Sequence, residues 1–445
     1  MNSLKANQWR FIVLPALAMS LGWGLRGQLG HSTGAMVPGA LAVLTLCCLL
    51  PGKLFSRGLA VGFGAIAFGY GATITTQDTA QLADGQIFRV GNTMVLDYTG
   101  LAIKGAVWAM VGGAVIGLAL VASRYRWRDI VIGMAAFVAA FPAGWALINK
   151  PNPVYFSVTR HESYGGYLVG CLVLLAWLTF RGRTKVPFVL AACTAVAGGL
   201  GFPLGVFVNS LGLHSVYVGG WHDWWKVAET TYGAFMGIGL GIGTWLVKDK
   251  LPDLSGSTEP AINSMSRGWG TLLGLAICAA FVLLSVAGIG EWLVPGSIMV
   301  CIVAFFPKKV GWHLGITVTI YVTVVNVIVY WLDEQKIGNA VFFWTVVALV
   351  TAAASWAVTG WWNERDTAVR KPLLFLMWAI VALTALKTFI EYPVLYPEAQ
   401  LVAAAGSRWL YTVKTLGGGL GDEVILGSLA LLLTWLTAQT SLDAG

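Results

Sequence analysis

Long apolar runs, broken at intervals by polar or basic residues, make up most of the chain. A helix needs about 20 apolar residues to cross the hydrocarbon core of a bilayer. Runs of that kind predict about fourteen spanning helices, at 10–29, 32–50, 57–76, 98–122, 128–148, 162–180, 186–209, 227–247, 268–288, 290–306, 312–332, 338–361, 372–391 and 421–439. Pro295 falls inside 290–306 and makes that span the weakest. The predicted fold is therefore all-α, a polytopic membrane protein.

Composition agrees with the pattern. Of 445 residues, 57% are hydrophobic and 11% charged, against about 25% charged in an average soluble domain. The mean hydropathy is +0.74. A soluble globule built from this chain would leave most of its surface apolar, so the implied solvent and partner is the lipid bilayer. The 55 glycines suit close helix packing in membranes. The 21 tryptophans are numerous enough to supply internal sites as well as interfacial belts.

The net charge of +8 does not imply a nucleic-acid partner, because the basic residues cluster between apolar spans. The clusters are Lys53/Arg57, Arg124/Arg126/Arg128, Arg181/Arg183/Lys185, Lys248/Lys250 with Arg267, Lys308/Lys309 and Arg365/Arg370/Lys371. They occupy every second loop. The positive-inside rule then puts both termini in the cytoplasm, with a bacterial inner (plasma) membrane as the expected location. Loops 77–97, 149–160 and 210–226, with a short turn near 30, face out, and 392–420 reads as an interfacial stretch. Lys5 and Arg10 precede an apolar run containing Ala16-Leu17-Ala18, which resembles a signal-peptidase site. The run is read as a retained first span.

The polar stretch 251–266 divides the chain into an eight-helix unit, 1–250, and a six-helix companion, 267–445. The companion carries few intramembrane charges and reads as scaffold or oligomer interface. Lys387 and Glu391, four apart, are placed to pair on one helix face.

The first eight helices read as four copies of one helical hairpin. Each first helix carries a small residue, an aromatic, then Gly or Pro: Gly22-Trp23-Gly24, Gly69-Tyr70-Gly71, Ala140-Phe141-Pro142 and Gly201-Phe202-Pro203. In the first three copies the aromatic lies 13 residues after a basic residue at the cytoplasmic end (Arg10, Arg57, Arg128). That is about 20 Å along a helix, so the motif recurs at one depth, in the outer half of the membrane. Each second helix opens on a shared pattern ending in small-xxx-small spacing: His31 to Gly39, Glu162 to Gly170 and Glu229 to Gly237. The second copy keeps Gly112-Gly113 and Gly117 but has Ala109 and Met110 at the polar positions. Shared orientation makes the repeat parallel, unlike the inverted repeats of many transporters.

Gly and Pro at mid-membrane depth predict broken helices, whose freed backbone groups need protein or a water-filled cavity. The polar residues near that depth are Arg26, His31, Lys104, Arg160, His161, Glu162, Asn209, Lys226 and Glu229. Charges within spans are functional hypotheses by default; the structural alternative for Arg26 and Lys104 is snorkelling to the outer interface. For Glu162 and Glu229 the alternative is N-terminal capping. The leading expectation is a transporter or channel for a small anionic or polar solute, such as a sugar acid or another carboxylate. Arg26, Lys104 and Arg160 would hold its charge, with Asn209 nearby. Trp23, Tyr70, Trp108, Phe141 and Phe202 would pack its apolar faces. Glu162, Glu229 and His31 are the candidates for protonation during transport.

Enzyme motifs are sparse. Gly419-Leu420-Gly421-Asp422 matches the Gly-x-Gly-Asp pattern of intramembrane aspartyl proteases but has no downstream Pro-Ala-Leu element. His161-Glu162 lacks the second zinc-protease histidine at 165, and no Walker loop or Gly-x-Ser-x-Gly occurs. The six cysteines (Cys47, Cys48, Cys171, Cys193, Cys278, Cys301) lie in apolar runs without metal or redox spacing, so no metal or cofactor is expected. Two other classes remain open: a membrane-embedded transferase using His31 or His161 as general base on a lipid-linked or acyl substrate, and a structural subunit of a larger membrane complex.

Overall fold

The computed structural model describes residues 8–27, 29, 31–50, 54–71, 77–83, 85, 93–151, 156, 162–214, 223–252, 369–389 and 406–442, with scattered residues between 320 and 357. Its regular elements are all helical. They are α1 (Gln8–Arg26), α2 (His31–Leu49), α3 (Leu54–Gly71), the short α4 (Gln77–Ala83), α5 (Met94–Leu120) and α6 (Trp127–Gly144, continued by a π-helical Trp145–Asn149). There follow α7 (Tyr164–Gly182), α8 (Val186–Leu213), α9 (Trp224–Val247), α10 (Arg370–Leu386) and α11 (Arg408–Leu442).

Six segments among the described residues are long and apolar enough to cross a membrane: Met94–Leu120, Arg128–Asn149, Tyr164–Gly182, Val186–Leu213, Arg370–Phe389 and Gly419–Gln439. Helices α2 and α3 add shorter apolar stretches, Gly34–Leu49 and Ala60–Gly69. The chain is thus an all-helical integral membrane protein. The predicted spans 268–288 and 290–306 lie outside the described residues, and 312–332 and 338–361 lie largely outside them.

Six helices close into a ring in the order α1, α2, α3, α5, α8, α9 and back to α1. Helices α6 and α7 form a hairpin beside it, docked through α7 onto α5 and α8. Helices α10 and α11 pack on each other and on α1 and α2.

Glycine makes the ring tight. Without a hydrophobic drive between helices in lipid, association depends on close packing, which small residues permit. On α9, Gly233, Gly237 and Gly241 follow one another every fourth residue along one face. A Cβ on any of them would run into the carbonyl of Met19, Pro15 or Phe11, each one turn further along α1. On the opposite side of the ring, Gly105 of α5 and Gly198 of α8 face each other reciprocally, a Cβ on either lying 2.5 Å from the other's carbonyl oxygen.

These contacts correct the expectation of four broken helices. Helices α1 and α8 run without interruption through Gly22-Trp23-Gly24 and Gly201-Phe202-Pro203. In a bilayer every backbone group must be satisfied within the protein, so the helix persists and the small residues serve to seat neighbours. Gly22 lies against Pro38 of α2, and Gly201 against Phe235 of α9. Helix α3 is described up to the last residue of its motif, Gly71, and α6 passes Pro142 before widening into the π turn at Trp145. Of the stretch 392–420, residues 392–405 lie outside the described residues, and from Arg408 onward it is continuous helix with the last span.

The α6–α7 hairpin is fixed at its basic end. Arg181 donates from Nε and Nη2 to Asp129 Oδ1 at 3.0 and 2.8 Å, and Trp177 Nε1 donates to the Asp129 carbonyl at 2.7 Å. Nearby, in the loop after α5, Tyr125 donates its hydroxyl to the Leu178 carbonyl at 3.0 Å. Burial pushes the Tyr125 phenol up to about 12. The folded state therefore keeps this proton over a range, between pH 10 and 12, where the unfolded chain loses it, and its contribution falls as pH rises through that window. Wild-type melting temperature should drop more steeply from pH 10 to 12 than that of Tyr125→Phe. Parallel curves for the two proteins would remove this tyrosine from the alkaline transition.

Candidate functional site

An aromatic cluster fills the middle of the ring. Trp23 (α1) meets Trp108 (α5) at 5.0 Å, Phe202 (α8) at 5.9 Å and Tyr232 (α9) at 6.0 Å between ring centroids. Phe202 stacks on Tyr232 at 4.4 Å and 5°. All four side chains are buried. Helix α3 joins from the fifth side: Trp108 Nε1 donates to the Phe68 carbonyl at 3.2 Å, and its indole rests on the bare Cα of Gly71. A side chain at 71 would collide with it.

A charged group covers one edge of this cluster. The Arg26 guanidinium lies 5.2 Å from the Trp23 ring centroid and 6.0 Å from that of Trp108, within cation–π range. Its Nη1 donates to Glu229 Oε1 at 3.1 Å, with side-chain exposures of 12% and 11%. Arg26 does not snorkel. Lys226, one turn before Glu229 on α9, contacts the other carboxylate oxygen at 3.4 Å. Gly27 leaves the space that the Lys226 ammonium occupies. Glu229 does not cap its helix, since α9 begins five residues earlier at Trp224 and is capped by Asp223, whose side chain accepts from Trp225 N. The backbone N–H of Asp223 in turn donates to Asp422 Oδ1 of α11 at 3.2 Å. This contact ties the start of α9 to α11.

A second buried ion pair lies on the α5 side. Lys104, fully buried, donates to Thr79 Oγ1 of α4 at 2.7 Å and sits 3.5 Å from Glu162 Oε1. The Thr79 hydroxyl donates to the Phe156 carbonyl, and the Phe156 backbone N–H donates to Glu162. Lys104 thus gathers α4, the segment before α7 and α5 itself at one internal point. It points inward rather than to an interface. Trp108 follows it by one turn, so the same face of α5 carries this pair and the aromatic cluster.

No family model matches the chain, and no curated protein or solved structure is significantly similar to it. The site's reading therefore rests on its own chemistry.

Of the residues nominated from sequence, Arg26, Glu229, Trp23, Trp108 and Phe202 come together. Lys104 and Glu162 pair with each other in the second group. Asn209 is fully buried on α8. Phe141 is set apart: it packs edge-on against Tyr167 at 5.0 Å, within the α6–α7 hairpin. Arg160 and His161 lie outside the described residues, as do the side chains of His31 and Tyr70. Glu391, the proposed partner of Lys387, also lies outside them. Tyr232, Thr79 and Asp422 escaped the sequence reading of the site. Lys226 carried a usable signal, its i,i+3 spacing from Glu229. Thr79 and Asp422 carried none, because their contacts join elements distant in the chain.

Proposed function

We propose that the protein is a membrane transporter or channel for a small anionic or polar solute, a carboxylate foremost, bound at the Arg26 edge of the ring. The observation that carries this reading is one cluster. Arg26 and Glu229, 203 positions apart, form a part-buried ion pair, with Arg26 over the Trp23 and Trp108 rings of an aromatic cluster drawn from four helices. A desolvated guanidinium is suited to planar oxyanions, which it binds through two parallel hydrogen bonds. Buried charge is costly in a membrane and is retained where it serves a substrate or ion pathway.

The repeat reading gains support from the ring. The second helix of each ring hairpin presents the last glycine of its motif to the first helix of the next: Gly39 of α2 to Gly64 of α3, Gly117 of α5 to Pro187 of α8, and Gly237 of α9 to Pro15 of α1. Three hairpins thus follow one another cyclically, and the α6–α7 hairpin, the third copy along the chain, stands outside the ring. In this reading residues 1–250 form the substrate unit and 267–445 the companion. The basic loops orient the chain in a bacterial inner membrane with both termini cytoplasmic and the Arg26 edge outward.

The test is uptake of radiolabelled gluconate and lactate into proteoliposomes. Wild type should exceed protein-free vesicles for at least one of them, and Arg26→Ala should lose at least about tenfold of that rate, the equivalent of one charged hydrogen bond. Absence of uptake by wild type would sink the transport reading, and an unimpaired Arg26→Ala would remove Arg26 from the site.

A further inference from the structure

We infer that Glu229 is an internal stand-in for the transported anion, and that the indole N–H of Trp23 is a donor which only that anion fills; the inference rests on the transport reading above. Its starting point is a buried polar atom with nothing to bind. Trp23 is 1% exposed, and its Nε1 has no hydrogen-bond partner among the described residues. Few native groups bear that condition, because each costs a hydrogen bond. The neighbouring indole of Trp108 does not bear it, since the Phe68 carbonyl accepts its proton.

The unfilled donor belongs to the ring on which Arg26 lies. A carboxylate seated between the Arg26 guanidinium and the Trp23 indole would meet a charged donor and a neutral N–H together. One guanidinium nitrogen is already held by a carboxylate: Nη1 donates to Glu229 Oε1 at 3.1 Å. Glu229 has a second cation on its other oxygen, Lys226 at 3.4 Å. Releasing Arg26 to an incoming anion thus leaves Glu229 paired. The resident carboxylate holds the cationic site in the empty state, and the substrate exchanges for it at Arg26 while adding the bond from Trp23. The chemistry fits a small organic monocarboxylate, its flat head on Arg26 and its apolar body against the Trp23 and Trp108 rings. A lipid or free phosphate offers similar oxygens, and the experiment separates the sources.

The full-length protein would be placed in phosphatidylcholine nanodiscs as wild type, Glu229→Gln, Trp23→Phe and Arg26→Lys. Melting temperature is then titrated with sodium lactate, benzoate and inorganic phosphate at matched ionic strength. A carboxylate should raise the melting temperature of wild type. It should bind about tenfold tighter to Glu229→Gln, where the internal competitor is gone. It should bind about tenfold weaker to Trp23→Phe, which lacks the donor, and weaker to Arg26→Lys, which keeps charge without the fork. Glu229→Gln binding no tighter than wild type overturns the stand-in role. Trp23→Phe binding as wild type does overturns the donor role. Should Trp23→Phe not fold, the near-isosteric Glu229→Gln decides alone. Phosphate in place of the carboxylates, or a shift produced only by adding phosphatidylglycerol, overturns the monocarboxylate assignment. No anion-dependent shift in any of the four proteins overturns the inference as a whole, whereas solute uptake in proteoliposomes would still uphold transport.

Discussion

Gly237→Ala should destabilise the protein by about 1–3 kcal/mol, the typical cost of overpacking, and Gly237→Leu should prevent recovery of a monodisperse protein. The sign is decided by two opposed effects. Alanine favours a helix over glycine by about 0.8–1 kcal/mol, which alone would stabilise α9. Against this, a Cβ at 237 would lie 2.5 Å from the Pro15 carbonyl carbon and 2.6 Å from the Ala16 Cα, both backbone atoms of α1. Backbone cannot rotate aside as a side chain can, so α1 and α9 must separate. The same shift would pull Glu229 away from Arg26, and uptake should fall along with stability. Gly427→Ala is the internal control: nothing lies within 4 Å of its would-be Cβ, so only the propensity gain remains. Melting curves in detergent give the comparison. Equal melting temperatures for Gly237→Ala and Gly427→Ala would defeat the close-packing account of the ring.

Glu162→Ala should cost about 3–5 kcal/mol, the usual penalty for stranding one partner of a buried ion pair. Lys104 is fully buried, and the Thr79 hydroxyl it also meets carries no charge to match its own. Loss of Glu162 also removes the acceptor for the Phe156 backbone N–H. The double variant Lys104→Met/Glu162→Gln should recover much of the loss, because an apolar replacement of similar length carries no uncompensated charge. A double-mutant cycle on melting free energies isolates the coupling. A stability of Glu162→Ala within about 1 kcal/mol of wild type would show that Lys104 finds its main compensation elsewhere.

Both predictions turn on contacts of different legibility. Residues 233, 237 and 241 announce a helix-packing face by spacing alone, since positions four apart share a side of a helix. That the face meets α1, more than 200 residues earlier, is not written in the spacing. Arg26 stood out for the same kind of local reason, as a charge inside an apolar run. Its counter-ion did not, because Glu229 is also well placed for a cap, and only the start of α9 at Trp224 excludes that role. The broken-helix expectation shows the opposite failure. Gly and Pro carry the same local signal whether a helix breaks or a neighbour presses close, and the neighbour decides which.

The aromatic motifs divide in the same way. Trp23 and Phe202 share a pattern with Phe141, yet only the first two face Trp108, because α6 pairs with α7 beside the ring. By itself the sequence determined that the chain lives in a bilayer as helices, and which buried charges need explaining. Both follow from the cost of placing polar groups in hydrocarbon, a property of composition and run length. The tertiary structure alone decided that six helices close a ring, that Arg26 meets Glu229 and Lys226 over Trp23, and that Lys104 is held by Glu162 and Thr79. Those outcomes depend on which helix backbones approach closely enough to touch, and that is set jointly by pairs of surfaces far apart in the chain.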